Sequence, residues 1–280
     1  MFLFFALTFG AYADTTIELL IDGKKHATVT VEEIKKMKSS DVEYYHRLIK
    51  RAEPYKGVPT TYLLEKAYPG FATKYSEVEF HGLDEYKSYV PVSQLLRYNS
   101  ILSYQRADGD AFVRISTRTK TLTPLAPLYL VWDMRLVPKA ERDALSSAYQ
   151  IHVINMISKS VKTTETDNKI VKGYGYYKQY CINCHSVGSR GGKIGPNLIE
   201  RNVIETRGAE YFKKYVLNPQ SMNPKSTMLA FNVTNKEDIV DHVIEFLKFA
   251  KAPEAALTSE TPKGKAYGTL KEISAELELK

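Results

Sequence analysis

Along the first half of the chain, apolar and polar positions alternate over short runs, the two-residue period of half-buried strands. Thr16–Ile21 and residues 26–30 flank Asp22-Gly23, a pair suited to a two-residue hairpin turn. Thr30 stands three residues before Glu33, the spacing of a capping box, and so predicts a short helix over 31–37. Pro59 and Thr60 introduce a second helix over 61–67, with its proline where a helix tolerates one. Further strands are expected at 77–81, 86–90, 111–116, 128–132 and 150–157, with a helix near 140–149. Strands mixed with short helices in this way predict an α+β domain over residues 14–158.

The polar run 159–168 has the composition of a linker. Beyond it the apolar period lengthens to that of a helix, at Ile170, Val171, Tyr174, Tyr177 and Tyr180, then over 210–217 and 237–250. Residues 169–251 therefore read as an all-α second domain, and 252–280, rich in Ala, Pro, Thr, Ser and Lys, as a mobile tail with a short helix over 270–279. The chain opens differently. Residues 1–10 are uncharged and mostly apolar, and Ala11-Tyr12-Ala13 precedes the first acidic residue, Asp14. A run this short cannot span a bilayer as a helix, which needs about 20 residues. The small residues at 11 and 13 instead suit signal-peptidase cleavage, so residues 1–13 predict a signal peptide, a periplasmic mature chain and no transmembrane segment within it.

Composition narrows the picture. With 280 residues, 44% hydrophobic and 25% charged, the chain predicts about two soluble domains rather than a fibrous, disordered or multi-span class. Its 39 Lys and Arg against 32 Asp and Glu leave +7, with no run of five basic residues. That excludes an evident nucleic-acid footprint and suits docking on an acidic partner protein. There are only two cysteines, Cys181 and Cys184, too close in sequence to staple distant parts of a fold.

Those cysteines lie in Cys181-Ile182-Asn183-Cys184-His185, the C-x-x-C-H attachment signature of c-type haem. One turn of near-helical chain places two thiols beside the two vinyl groups of a porphyrin, while the adjacent imidazole faces the iron. Zinc would need a second pair of ligands at short spacing, and His26, His46, His81, His152 and His242 are unpaired in the sequence. A dithiol redox motif would follow a strand, whereas a tyrosine-rich helical run precedes Cys181.

From about residue 167 to 251 the chain resembles the class I cytochrome c family. Gly173 and Tyr177 match the glycine and aromatic of the family's first helix, and Val243, Phe246 and Leu247 its closing helix. Gly195-Pro196-Asn197-Leu198 matches the loop whose proline carbonyl accepts a hydrogen bond from the proximal histidine. The resemblance thus implies one covalent haem on Cys181 and Cys184, His185 and Met228 as axial iron ligands, and Pro196 behind His185. Met222 competes with Met228 but precedes the matching position, and His/Met ligation would favour electron transfer. The family's tryptophan near the propionates is absent, leaving Tyr211, Arg207 or Arg201 to supply that contact. The stretch carries 13 Lys and Arg against 8 Asp and Glu, a net +5, with Lys178, Lys193, Lys213, Lys214 and Lys225 near the expected haem edge.

The first half resembles the molybdopterin-binding domain of the sulfite oxidase superfamily, through Gly57-Val58-Pro59 with Leu63-Leu64, Leu83-Asp84-Glu85-Tyr86, and Pro127-Leu128-Tyr129-Leu130-Val131. The cysteine that binds molybdenum in that family would fall near Tyr45 and His46, and none is there. This argues against molybdopterin, although His46 or His81 offers a substitute ligand. Asp84, Glu85 and Asp108-Gly109-Asp110 read as turn residues. The expectation is a periplasmic, haem-bearing electron carrier with no catalytic residues, its first domain a docking or scaffold module. The alternative is a haem-linked oxidoreductase whose first domain binds a molybdopterin or other cofactor and oxidises a small substrate.

Overall fold

A computed structural model describes residues 15–46, 51–115, 122–158, 169–188 and 190–251. The expected signal peptide at 1–13, linker at 159–168 and tail at 252–280 lie outside the described residues. The chain divides into two compact units, Met1–Leu83 with Val90–Lys159, and Asp84–Tyr89 with Ser160–Lys280.

In the first unit, β1 (Thr16–Ile21) and β2 (Lys24–Thr30) form the hairpin across Asp22-Gly23. Asp22 and Gly23 both have positive φ, the conformation that such a turn requires. Thr30 Oγ1 accepts the Glu33 N–H at 3.1 Å and Thr30 N–H donates to Glu33 Oε2 at 2.7 Å, closing the capping box of α1 (Val31–Lys35). There follow β3 (Ser40–His46), β4 (Arg51–Pro59), α2 (Thr60–Ala67), α3 (Phe71–Lys74), β5 (Tyr75–Gly82), β6 (Lys87–Pro91), of which only Val90 and Pro91 belong to this unit, α4 (Val92–Arg97) and β7 (Ser100–Arg106). Then come β8 (Val113–Ile115), β9 (Leu122–Pro124), β10 (Tyr129–Trp132) and β11 (Ile151–Ser158).

One sheet has the order β2-β1-β11-β5-β6, with β1 parallel to β11 and β11 antiparallel to β5. The other, β10-β7-β4-β3, is antiparallel throughout. Ile17, Leu19, Phe80 and Ile154 are buried on the first sheet; Tyr55, Val131 and Trp132 are buried on the second. Neither β3 nor β4 is evident from sequence, because Pro54, Gly57 and Pro59 punctuate β4.

The helix expected over 140–149 is absent. Short 3-10 turns cover Met134–Leu136 and Lys139–Ala144, and β10 then engages the chain beyond them. Trp132 Nε1 donates to Ser146 O at 2.7 Å and Leu130 N–H to Ala148 O at 2.8 Å, bonds that hold that backbone out of a helix. Asp108 and Asp110 stay in their turn, and the buried Arg106 guanidinium holds the Asp108 carboxyl down to about 2.

The second unit contains α5 (Lys169–Tyr180), β12 (Ser186–Val187), β13 (Arg190–Gly191), α6 (Val203–Arg207), α7 (Ala209–Leu217), α8 (Pro219–Met222) and α9 (Lys236–Lys251). The expected fold class, a sulfite-oxidase-like α+β domain followed by an all-α cytochrome domain, therefore needs correction. The chain is a mixed α/β fold whose later half is not all-α, since β12 pairs antiparallel with β13. The positive φ of Gly188 and Gly191 accompanies the pairing of Ser186-Val187 with Arg190-Gly191, strands that the expected all-α domain did not include. This unit also takes in Asp84–Tyr89 from the first half of the sequence.

Its core is the crossing of α5 with α9. A methyl group at Gly173 would overlap the His242 carbonyl and come within 2.8 Å of Phe246 Cβ. With no side chain there, Phe246 reaches Tyr174 and Tyr177, ring centroids at 5.3 and 5.4 Å. Among the described residues no helix is long and apolar enough to cross a membrane.

Two outcomes are expected. Gly173→Ala gains up to ~1 kcal/mol of helix propensity but overpacks the crossing at a cost of ~1–3 kcal/mol. The balance is a lower urea midpoint, and a raised one would contradict this account of the crossing. His152 on β11 has its Nδ1 buried without a hydrogen-bond partner among the described residues. Burial, reinforced by the neighbouring His81, holds this imidazole below its ordinary value of about 6.5. The unfolded chain then takes up a proton first as pH falls, so this stabilisation is complete above about pH 6.5 and is lost towards the lower native value. Urea midpoints at pH 5.5 should lie below those at pH 7.5, and His152→Gln should narrow the gap.

Candidate functional site

The C-x-x-C-H segment is built directly onto the end of α5. Ile170, Val171, Tyr174 and Tyr177 set the apolar stripe of that helix, which the α9 core holds in place. Past Tyr180 the chain keeps turning: Cys181 N–H and Ile182 N–H both donate to Tyr177 O at 2.9 Å. Cys184 N–H and His185 N–H then donate to Cys181 O at 3.1 and 3.0 Å. Both thiols thus fall within one turn, half-buried and outside any disulfide, while Ile182 between them is fully buried. Burial, with Cys184 adding to it, pushes the Cys181 thiol up to about 12.

The segment after the β12–β13 hairpin lies along this turn. Gly192 N–H donates to Ile182 O and Gly195 N–H to Cys184 O, each at 2.8 Å. Gly195 lies against the His185 ring, whose Nε2 would be 2.8 Å from a Cβ at that position, so no larger residue fits. His185 Nδ1 meets the Pro196 carbonyl oxygen at 2.9 Å. A carbonyl only accepts, so Nδ1 carries the proton and Nε2 presents its lone pair, with no protein partner among the described residues. Burial lowers the pKa of His185, opposed by the bond to Pro196, and favours the neutral ring that can ligate a metal.

Tyr177, fully buried on α5, donates its one hydroxyl proton to His185 O at 3.0 Å and also lies 3.3 Å from Arg190 O. A third segment reaches the same turn. Asn183 Nδ2 donates to the Tyr86 hydroxyl at 2.9 Å and Lys87 N–H to Asn183 O at 3.2 Å. Lys193 N–H donates to Glu85 O at 3.4 Å, and the Arg190 guanidinium lies 5.3 Å from the centre of the buried Tyr89 ring. The pairing of Asn183 with Tyr86, and of Arg190 with Tyr89, carries no signal in the sequence, because residues about a hundred positions apart make these contacts.

Met228 lies in the loop after α8. Gln220 Nε2 donates to Met228 O at 2.7 Å, and Ser226 Oγ accepts both the Met228 N–H at 3.3 Å and the Tyr215 hydroxyl at 3.0 Å. Three residues on, the Phe231 ring stands edge-to-face with Tyr180 at 5.2 Å, bringing this loop to the residue before Cys181. Met222 closes α8. Arg207 Nη1 donates to the Tyr211 hydroxyl at 2.6 Å. Of the five candidate rim lysines, Lys213 is tied to Asp241 at 2.8 Å, and Lys178 lies 5.2 Å from the Tyr174 ring centre. In the first unit His81 Nε2 meets the buried Glu79 at 3.0 Å, Tyr45 is exposed, and the His46 side chain lies outside the described residues.

No family model matches this chain, and no curated protein matches it either. Among the described residues, no group of three or more His, Cys, Asp or Glu side chains is placed to hold a metal ion. Both family resemblances read from the sequence, to class I cytochromes c and to the sulfite oxidase superfamily, are corrected accordingly. The motif residues and the geometry that holds them remain.

Tyr177→Phe tests the frame of the site apart from any cofactor. Leaving the part-buried His185 carbonyl without this donor should cost about 1 kcal/mol. The check is denaturant unfolding; an unchanged midpoint would mean that the hydroxyl contributes nothing.

Proposed function

We propose that this chain is an exported electron-transfer protein that carries single electrons on one haem attached covalently at Cys181 and Cys184. The observation that carries the reading is the His185 ring: Nδ1 bonded to Pro196 O and Nε2 left open, with the thiols of Cys181 and Cys184, outside any disulfide, in the adjacent turn. A haem needs no three-residue cluster of His, Cys and carboxylates, because two thioethers and a single imidazole suffice to hold it on one side. The fit is chemical as well as spatial, since a neutral Cys181 thiol and a neutral imidazole are the forms that burial favours here.

In this reading the bound group supplies one-electron ferric/ferrous chemistry. Cys181 and Cys184 would anchor it and His185 would bind the iron, while Pro196 O holds the imidazole by its Nδ1 and would strengthen its donation. Met228 would supply the iron's second protein ligand, from a loop braced by Gln220, Ser226 and the Tyr180–Phe231 pair. The first unit serves as a docking or scaffold module. Residues 1–13 direct the chain to the periplasm, and Lys193, Lys214 and Lys225 steer it towards an acidic redox partner. Lys213 contributes less, because Asp241 neutralises it.

A pyridine haemochrome spectrum of natively matured protein should give one c-type haem per chain. Cys181→Ala with Cys184→Ala should abolish covalent haem, whereas Met228→Leu should keep it and lower its midpoint potential. Natively matured protein without haem would overturn the proposal.

A further inference from the structure

The segment Asp84–Tyr89 is separated by more than ninety residues from the motif that it touches, yet it belongs to the same compact unit. Its shape is set locally. Asp84 Oδ1 accepts the Tyr86 N–H at 3.1 Å, Glu85 adopts a left-handed conformation at φ 66, and the buried Tyr89 ring anchors its far end in the α5–α9 core. Held this way, the strap presents a main-chain donor and a phenol to one residue. Lys87 N–H donates to Asn183 O, and the Tyr86 hydroxyl accepts from Asn183 Nδ2. Asn183 lies between the two cysteines and two positions before His185. Its carbonyl also lies against Gly192, so this peptide is enclosed from two sides.

We propose that Asp84–Tyr89 is a positioning strap for the cofactor loop, and that the Tyr86 hydroxyl, through Asn183, tunes the reduction potential of the group attached there. The inference rests on the haem reading above. The peptide between the two attachment points is short and carries His185 at its end, so freedom at Asn183 passes directly to both sulfurs and the imidazole. With the strap bonded, the Asn183 peptide is held in one conformation and water reaches the turn only in part. When it loosens, water entering around His185 stabilises the more highly charged ferric state, and the potential falls. Tyr86 is therefore a positioning residue that touches neither substrate nor iron ligand.

The test compares full-length, natively matured wild type with Tyr86→Phe, Asn183→Ala and the double variant. Tyr86→Phe removes one oxygen and keeps the ring, so the fold should survive. Haem content should equal that of wild type, while the ferric/ferrous equilibrium shifts about tenfold towards ferric, which for one electron is about 59 mV downward. The double variant should add little to either single change, because both remove the same bond. Amide exchange over residues 181–185, measured also on protein expressed without haem, should quicken about fivefold in Tyr86→Phe. Full haem content with an unmoved potential would overturn the tuning role. Unchanged exchange would overturn the strap itself, whether or not haem is present. Wild type lacking haem but showing the faster exchange in Tyr86→Phe would refute the electron-carrier reading and the tuning role while retaining the strap.

Discussion

The close crossing of α5 over α9 is the contact on which the rest of the second unit depends. Only a residue without a side chain allows the His242 carbonyl to approach at Gly173, and that approach lets Phe246 fill the space between Tyr174 and Tyr177. Tyr177, fixed by this packing, carries its hydroxyl to the His185 carbonyl. A backbone constraint eight residues before the first cysteine is thereby transmitted to the imidazole. The transmission passes through close-packed groups that cannot shift independently, since an interior of this density has no slack.

Around the cysteine turn, stability and chemistry depend on the same atoms. Ile182 and Val187 anchor the turn in the core while the thiols and the His185 ring remain partly accessible. The hydrogen bonds that complete it come from three separate stretches: the end of α5, the chain after the β12–β13 hairpin, and the strap from the first half of the sequence. Each bond alone is worth about 1 kcal/mol. Together they define one conformation for five residues that would otherwise be an exposed loop.

What the sequence revealed was what local chemistry determines. The Asp22-Gly23 hairpin, the Thr30–Glu33 capping box and the Cys181–His185 motif each depend on neighbours a few residues apart, and each can be read without a partner. Strand β4 was hidden by its own Pro54, Gly57 and Pro59, residues that signal turns but are tolerated here. The helix expected over 140–149 lost its backbone to bonds from β10, a tertiary demand that outweighed local preference. The all-α expectation for the second half failed at Gly188 and Gly191, whose positive φ accompanies the pairing of β12 with β13. Tyr86 and Asn183 could not have been paired from sequence, because nothing in either residue indicates the other.

The seat of the His185 ring bears on the thermodynamics of ligation. One face lies against the backbone of Gly195 and Nδ1 is held by Pro196 O, so the imidazole has neither room nor a free donor with which to rotate. A freely turning side chain gives up about 0.5–1.5 kcal/mol of rotamer entropy when a ligand immobilises it. Here that loss is incurred when the chain folds, so that a metal bound there, as proposed, would meet a rigid donor.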